Sequence, residues 1–84
     1  MPEISRFLGI VIYMYFNEYN PPHFHAEHNA YKASISINTL GLMERKLPSK
    51  VMSLVVEWAQ ERQDELLKNW NSIKATGNII KYNH

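Results

Sequence analysis

Three of the four histidines in this chain lie within the segment NPPHFHAEHNAY, which spans residues 20–31. His23, His25 and Glu27 occupy alternate positions, so on a β-strand they would share one face at intervals of about 6 to 7 Å. Two imidazoles and a carboxylate suit zinc, manganese or iron, so a divalent metal site on these three residues is one interpretation. A flat strand face rarely supplies the converging ligands that a tight site needs, and we therefore expect no cofactor, with the metal as the alternative.

The same residues also suit acid–base chemistry, because histidine titrates near neutral pH. In a small metal-independent ribonuclease, one group takes the proton of the 2′-hydroxyl, another protonates the leaving oxygen, and a cation stabilises the phosphate. The candidate catalytic residues are His23, His25, Glu27, Tyr13 and Lys32. Arg45 is a second candidate for the cation.

A third interpretation is a binding face without chemistry. Imidazole and phenol side chains on an exposed sheet face are typical of contact surfaces for protein or nucleic acid. The candidate binding residues are Tyr15, Ser34, Arg45, Lys46 and Lys50. The last two belong with Arg45 to a basic cluster just before a predicted helix, whose free amide groups favour anions. An ordinary half-exposed face with a Glu27–Lys32 ion pair would account for most of the same residues.

Composition limits the class of protein. The 84 residues suffice for one domain, which we expect to span residues 1–84. The formal net charge of +1 gives no strong field towards nucleic acid, and the absence of cysteine excludes disulfides and thiolate sites. The longest apolar run, residues 7–16, is shorter than the roughly 20 residues of a membrane helix. We expect a cytoplasmic protein with no membrane partner.

The elements that carry these residues can be predicted from hydrophobic spacing. Apolar residues at even positions predict a strand over residues 7–16, with Tyr13 and Tyr15 on the opposite face. Residues 23–28 and 31–37 form a predicted hairpin around a two-residue turn, Asn29-Ala30. By counting from that turn, His28 opposes Tyr31, Glu27 opposes Lys32 and His25 opposes Ser34. The core side of the hairpin would then carry Phe24, Ala26, Ala33, Ile35 and Ile37.

The remainder of the chain predicts a turn over residues 38–41, a short strand over 42–47 and then helices. Apolar spacing from Pro48 onward is helical, and a break near Gln63 or Asp64, with Asp64 as the cap, divides it. Gly77 is expected to end the second helix, before a short tail over residues 77–84. These elements predict an α+β fold, a small antiparallel sheet of three or four strands packed on C-terminal helices. The sheet would occupy about residues 7–47 and the helical part about 48–76.

Several motifs resemble a small bacterial family catalogued as domain of unknown function 4160. They are the opening ISRF.GI.I.MYF, the block NPPHFHAE, the pair LP before a helix, and the helical pattern W......EL..NW. The resemblance covers almost the whole chain. Family members usually have a glycine in the turn after the histidine block, where this sequence has His28-Asn29-Ala30.

The resemblance implies a role in a module similar to a toxin–antitoxin pair, since genes of this family often lie beside a gene for another small domain. It therefore implies a cognate small protein partner and activity against nucleic acid, either RNA or DNA. The family block matches His23, His25 and Glu27 in this sequence. A homodimer is an alternative assembly, because an exposed sheet edge pairs as readily with a second copy.

Overall fold

The structure is a computed structural model that describes residues 3–15 and 19–77. Five strands in this part of the chain pair in sequence order into one antiparallel sheet, so that β1 and β5 form its edges. The elements are β1 (Glu3–Phe7), β2 (Ile10–Tyr13), β3 (His23–His28), β4 (Tyr31–Ser36), β5 (Leu42–Arg45), α1 (Ser49–Gln60) and α2 (Gln63–Thr76). The α+β class, with an antiparallel sheet before C-terminal helices, is confirmed. The predicted count of three or four strands is wrong.

The additional strand comes from a tight turn inside the predicted strand over residues 7–16. The chain reverses at Leu8 and Gly9, whose φ angles are 50° and 75°, and β1 pairs with β2 on either side. Two-residue hairpin turns of type I′ need positive φ at both central positions, which glycine adopts without strain. The even position of Leu8 predicts a core residue, but its side chain is 74% exposed, so this prediction is wrong. The sheet consequently begins at Glu3 instead of near residue 7.

The second hairpin has the predicted turn and register. His28 opposes Tyr31, Glu27 opposes Lys32 and His25 opposes Ser34. Asn29 adopts a φ of 55°, a conformation that asparagine tolerates better than most residues. The five residues expected on the core side are all buried. They are Phe24, Ala26, Ala33, Ile35 and Ile37.

Strand β5 confirms the predicted short strand, which ends at Arg45 instead of Leu47. All four of its residues are exposed, as befits an edge strand. Leu47, two positions after the strand, returns to the core. The connection from β4 is closed by the Leu40 amide, which donates to the Ser36 carbonyl at 2.8 Å.

The helices divide at Glu61 and Arg62, close to the predicted break. Arg62 occupies the N-cap of α2, so the prediction of Asp64 as the cap is wrong. Asp64 lies in the first turn, where its carboxylate interacts favourably with the helix dipole. Gly77 ends α2 with a φ of 79°, as predicted. Gln63 Nε2 donates to the Ile37 carbonyl at 2.9 Å, which fixes the start of α2 to the end of β4. The predicted tail after Gly77 lies outside the described residues.

The core lies between one face of the sheet and the two helices. Trp58 of α1 stacks on Phe7 with ring centroids 5.5 Å apart, and it meets Phe24 edge-on at 6.3 Å. Both tryptophans, Trp58 and Trp70, are buried as predicted. The helices therefore cover the aliphatic face of the sheet, and the opposite face, here called the outer face, carries His23 and His25.

No helix among the described residues combines the length and the apolar character that crossing a bilayer requires.

Candidate nucleic-acid interface

One row of side chains crosses the outer face from β2 to β5. Tyr13 of β2 opposes His25 of β3, and His25 opposes Ser34 of β4. Ser34 in turn opposes Glu44 of the edge strand β5. Directly opposed residues share a face and approach within about 5.5 Å at their β-carbons. Strand pairing therefore brings a phenol, an imidazole, a hydroxyl and a carboxylate into one line.

His25 is the centre of an aromatic cluster. Its ring stacks on Tyr13, with centroids 5.1 Å apart and planes inclined by 12°. Tyr15 meets His25 edge-on at 5.0 Å, and His23 does so at 5.3 Å. The imidazole of His25 therefore contacts three other rings, and it remains half-buried instead of fully enclosed.

His23 is more enclosed than the half-exposed face predicted from the sequence. Its side chain is buried, and its ring lies 5.1 Å from the ring of Trp70 on α2. Nδ1 donates to the Pro21 carbonyl at 2.9 Å, in the loop that contains the cis Asn20–Pro21 peptide bond. A carbonyl only accepts, so Nδ1 carries the proton, and in the neutral ring Nε2 is the basic atom.

Two side chains on β4 interact with residues of β3 on the outer face. The Ser34 hydroxyl lies 3.2 Å from His25 Nδ1 and forms a hydrogen bond with it. Lys32 Nζ lies 3.6 Å from the Glu27 carboxylate, which is the predicted cross-strand ion pair. The lysine side chain is about half exposed, so its ammonium group remains open to a ligand.

The outer face contains two adjoining open concavities. The first has a volume of about 250 Å³ and contains both of the nearby cationic side chains, Lys32 and Arg45. The second has a volume of about 200 Å³. The first is lined by Tyr13, Tyr15, His25, Lys32, Ala33, Ser34, Glu44 and Arg45. The second is lined by Tyr19, His23, His25, Ser34, Met43 and Glu44. His25, Ser34 and Glu44 belong to both.

The Tyr13 hydroxyl is a hydrogen-bond donor at neutral pH. Burial, together with the neighbouring Tyr15 and Glu27, raises the pKa of Tyr13 from 10.0 to about 12, and Arg45 opposes the rise. A phenolate is disfavoured in a poorly solvated site beside other negative or potentially negative groups. Tyr13 therefore keeps its proton and cannot act as a general base near neutral pH. Its side chain is 2% exposed, and its hydroxyl forms a hydrogen bond with that of Tyr15.

The metal site predicted on His23, His25 and Glu27 finds little geometric support. Among residues 3–15 and 19–77, no three histidine or acidic side chains are grouped so as to hold a metal ion. Glu27 faces Lys32, and His23 directs Nδ1 at a backbone carbonyl. The divalent metal stays a prediction that a zinc titration would test.

Comparison with known proteins identifies a family. The model of a domain of unknown function (DUF4160) matches residues 9–71, which is most of the chain. The chain belongs to this family. No curated protein and no solved structure shows a significant match to it.

In this DUF4160 domain, most of the predicted site residues converge on the first concavity. Glu27 lies beside it through its ion pair with Lys32, and His23 lines the second concavity. Lys46 and Lys50 are exposed but line neither one. The residues that converge are Tyr13, Tyr15, His25, Lys32, Ser34 and Arg45.

Sequence reasoning missed Tyr19, Met43 and Glu44 of the DUF4160 domain. Glu44 opposes Ser34, but the β4–β5 pairing is irregular between Ser34 and Ile35, so counting from a turn does not reveal this partner. Tyr19 precedes the Asn-Pro-Pro loop and is 86% exposed. The one signal in the sequence was an aromatic residue directly before the histidine block.

His28 has a structural role in the DUF4160 domain. As predicted, it is not on the face of the other two strand histidines. Its Nδ1 donates to the Gly9 carbonyl at 3.2 Å and thereby links the two hairpins.

Proposed function

We propose that this protein binds single-stranded RNA across the outer face of its sheet. The observation that carries the proposal is the stack of His25 on Tyr13 in the same open concavity as Lys32 and Arg45. Unpaired bases stack on aromatic side chains, and cations next to those rings attract the phosphate backbone. DNA would bind the same face less well, because the Ser34 hydroxyl, which lines both concavities, offers a partner for a 2′-hydroxyl.

The electrostatic part of this binding is modest. Lys32 and Arg45 are opposed by Glu44 within the concavity, and Glu27 partly neutralises Lys32. With a formal net charge of +1, the whole chain adds little attraction. We therefore expect stacking to supply most of the affinity, with a weak dependence on salt.

A second candidate function, metal-independent cleavage of the bound RNA, is favoured by the spacing of two imidazoles. The ring centroids of His23 and His25 are 5.3 Å apart, and Nε2 is the basic nitrogen of the neutral His23 ring. In this reaction His23 takes the proton of the 2′-hydroxyl while that oxygen attacks phosphorus. The bond from phosphorus to the 5′ oxygen breaks, and protonated His25 supplies the proton to the leaving oxygen. The products are a 2′,3′-cyclic phosphate and a 5′-hydroxyl, and Lys32 or Arg45 stabilises the charge on phosphorus.

We also propose that the protein is one half of a toxin–antitoxin-like module in the cytoplasm, with a small cognate protein that covers this face. The exposed edge strand β5 supports a protein contact, since Leu42 and Met43 are 48% and 38% exposed and Met43 lines the second concavity. Edge strands with apolar side chains readily accept a strand from another chain. A second copy of this chain could occupy the same edge.

The test is fluorescence anisotropy with short labelled RNA and DNA of the same sequence, in buffer containing chelator. We expect saturable binding that is tighter for RNA. Gel analysis of the same mixtures detects cleavage, and a 2′-deoxy substitution at the cleaved position should abolish it. Absence of binding to either nucleic acid at low salt would contradict the proposal and leave a protein partner as the ligand of this face.

A further inference from the structure

The Glu44 carboxylate occupies a place that phosphate binding does not explain. It lines both concavities and projects from β5 opposite Ser34. Within residues 3–15 and 19–77, no hydrogen bond or ion pair involving Glu44 is present. A carboxylate next to the backbone of a bound nucleic acid would repel it. An ionised carboxylate accepts hydrogen bonds and donates none, so its natural partner is a group with N–H donors.

The second concavity has the size and lining to hold one planar base. Its volume of about 200 Å³ is below the range of about 300 to 1,000 Å³ of pockets for drug-sized ligands. The exposed ring of Tyr19 and the thioether of Met43 provide apolar contacts for a ring face. Glu44 and Ser34 provide the polar groups of the same concavity.

The two concavities have different linings, which suit the two parts of a nucleotide. Lys32 and Arg45 line only the first, which suits a phosphate, whereas Tyr19 and Met43 line only the second, which suits a base. His25 and Ser34 lie between them because they line both. A nucleotide seated across this boundary would place its base next to Glu44.

We propose that Glu44 reads the Watson–Crick edge of one base and selects guanine over uracil, an inference that rests on the proposed RNA binding. Guanine presents two adjacent donors, N1–H and the exocyclic amino group, to the two carboxylate oxygens. Uracil presents one N–H between two carbonyl oxygens, which face the carboxylate with their lone pairs. Adenine and cytosine each present one amino donor next to a ring acceptor and fall between these extremes.

The experiment compares two short RNAs that differ at one position, an all-uracil strand and the same strand with one central guanine. Binding of each is measured by fluorescence anisotropy for the wild type, Glu44→Gln and Glu57→Gln. Glu57 is an exposed carboxylate on α1 that lines neither concavity, so its variant matches the change in charge. Circular dichroism confirms that each variant is folded.

The wild type and Glu57→Gln should bind the guanine strand more tightly by about 5- to 150-fold, the discrimination that one bidentate contact provides. Glu44→Gln should lose most of this preference, because its amide replaces one acceptor by a donor that suits a uracil carbonyl.

Three results would overturn the inference, and they separate its failure from that of RNA binding. Equal binding of both strands by the wild type rejects base reading and leaves RNA binding intact. A Glu44→Gln variant that binds both strands more tightly, with the preference unchanged, assigns Glu44 to phosphate repulsion alone. Failure of the wild type to bind either strand rejects both proposals together.

Discussion

The imidazole of His25 lies nearly parallel to the phenol ring of Tyr13, with ring centroids 5.1 Å apart. The two residues oppose each other in the β2–β3 register, so backbone pairing holds the stack in place before a ligand binds. A rigid aromatic surface loses little conformational entropy on binding, which favours affinity. Tyr13 is 2% exposed, so it supports the half-buried ring of His25, which is the preformed aromatic surface at the centre of the outer face.

Replacing His25 should weaken RNA binding without unfolding the protein. His25→Ala removes the ring at the centre of the cluster, and loss of one stacking partner costs about 1 to 3 kcal/mol of binding free energy per base. Fluorescence anisotropy with labelled RNA measures this loss. His28→Ala is the matched control, because it removes an imidazole from the same strand that is bonded to Gly9 and lines neither concavity. Equal affinities for the two variants would exclude His25 from the binding site.

Replacing Lys32 should reduce the salt dependence of RNA binding. Each phosphate contact contributes about 0.7 to the slope of log affinity against log salt for single strands, so Lys32→Gln should lower the slope by about that amount. Its ion pair with Glu27 is half exposed, and its loss should change the free energy of unfolding by less than about 1 kcal/mol. Lys68→Gln, at an exposed position on α2, is the control. The same change of slope in both variants would assign the effect to net charge.

Replacing Tyr13 should reduce the loss of folding stability at alkaline pH. The pKa of Tyr13 is about 12 in the folded chain against 10.0 for the free side chain, so the folded state keeps its proton longer. The stabilisation is complete below about pH 10 and is lost as the pH rises to about 12, by at most about 3 kcal/mol at about 1.4 kcal/mol per pKa unit.

Urea denaturation at several alkaline pH values tests this effect. Tyr13→Phe should lose less stability than the wild type between the two pKa values, because phenylalanine has no proton to release. Tyr31→Phe is the control, since Tyr31 is 53% exposed and the variant keeps the Tyr13 hydroxyl. An unchanged alkaline decline in Tyr13→Phe would show that other groups cause it.

The part of the site on the β3–β4 hairpin could be predicted from the sequence because a short turn fixes its register. Once Asn29 and Ala30 form the turn, His25 must oppose Ser34, and the alternation of side chains separates the core residues from the histidines. The burial of Trp58 and Trp70 could also be predicted, because both lie on an apolar stripe of helical period.

Other parts of the site depend on long-range pairing that no local pattern reveals. The approach of Glu44 to Ser34 depends on an irregular β4–β5 register. The burial of His23 depends on Trp70, which lies far along the chain on α2. Sequence spacing alone therefore predicted a half-exposed histidine, whereas packing against α2 encloses it.

The turn between β1 and β2 gives a prediction about stability. Leu8 adopts a φ of 50°, in the strained left-handed region, and its side chain is 74% exposed. Burial of this side chain therefore contributes little to offset the strain. For a residue other than glycine, this conformation costs about 1 to 2 kcal/mol, and asparagine tolerates it better. Leu8→Asn creates an Asn-Gly pair, which strongly favours a two-residue hairpin turn. We expect the free energy of unfolding to rise by about 1 kcal/mol, as measured by urea denaturation.

The control for this substitution is Leu42→Asn. Leu42 is also an exposed leucine, on the opposite edge of the sheet, but its φ is not positive. Asparagine there relieves no strain and lowers strand propensity, so the variant should be neutral or slightly destabilised. If both substitutions stabilised the protein equally, the gain would come from removing exposed apolar surface, and the strain at Leu8 would not limit stability. If Leu8→Asn alone is stabilising, the strain at Leu8 in the β1–β2 turn lowers the stability of the folded protein.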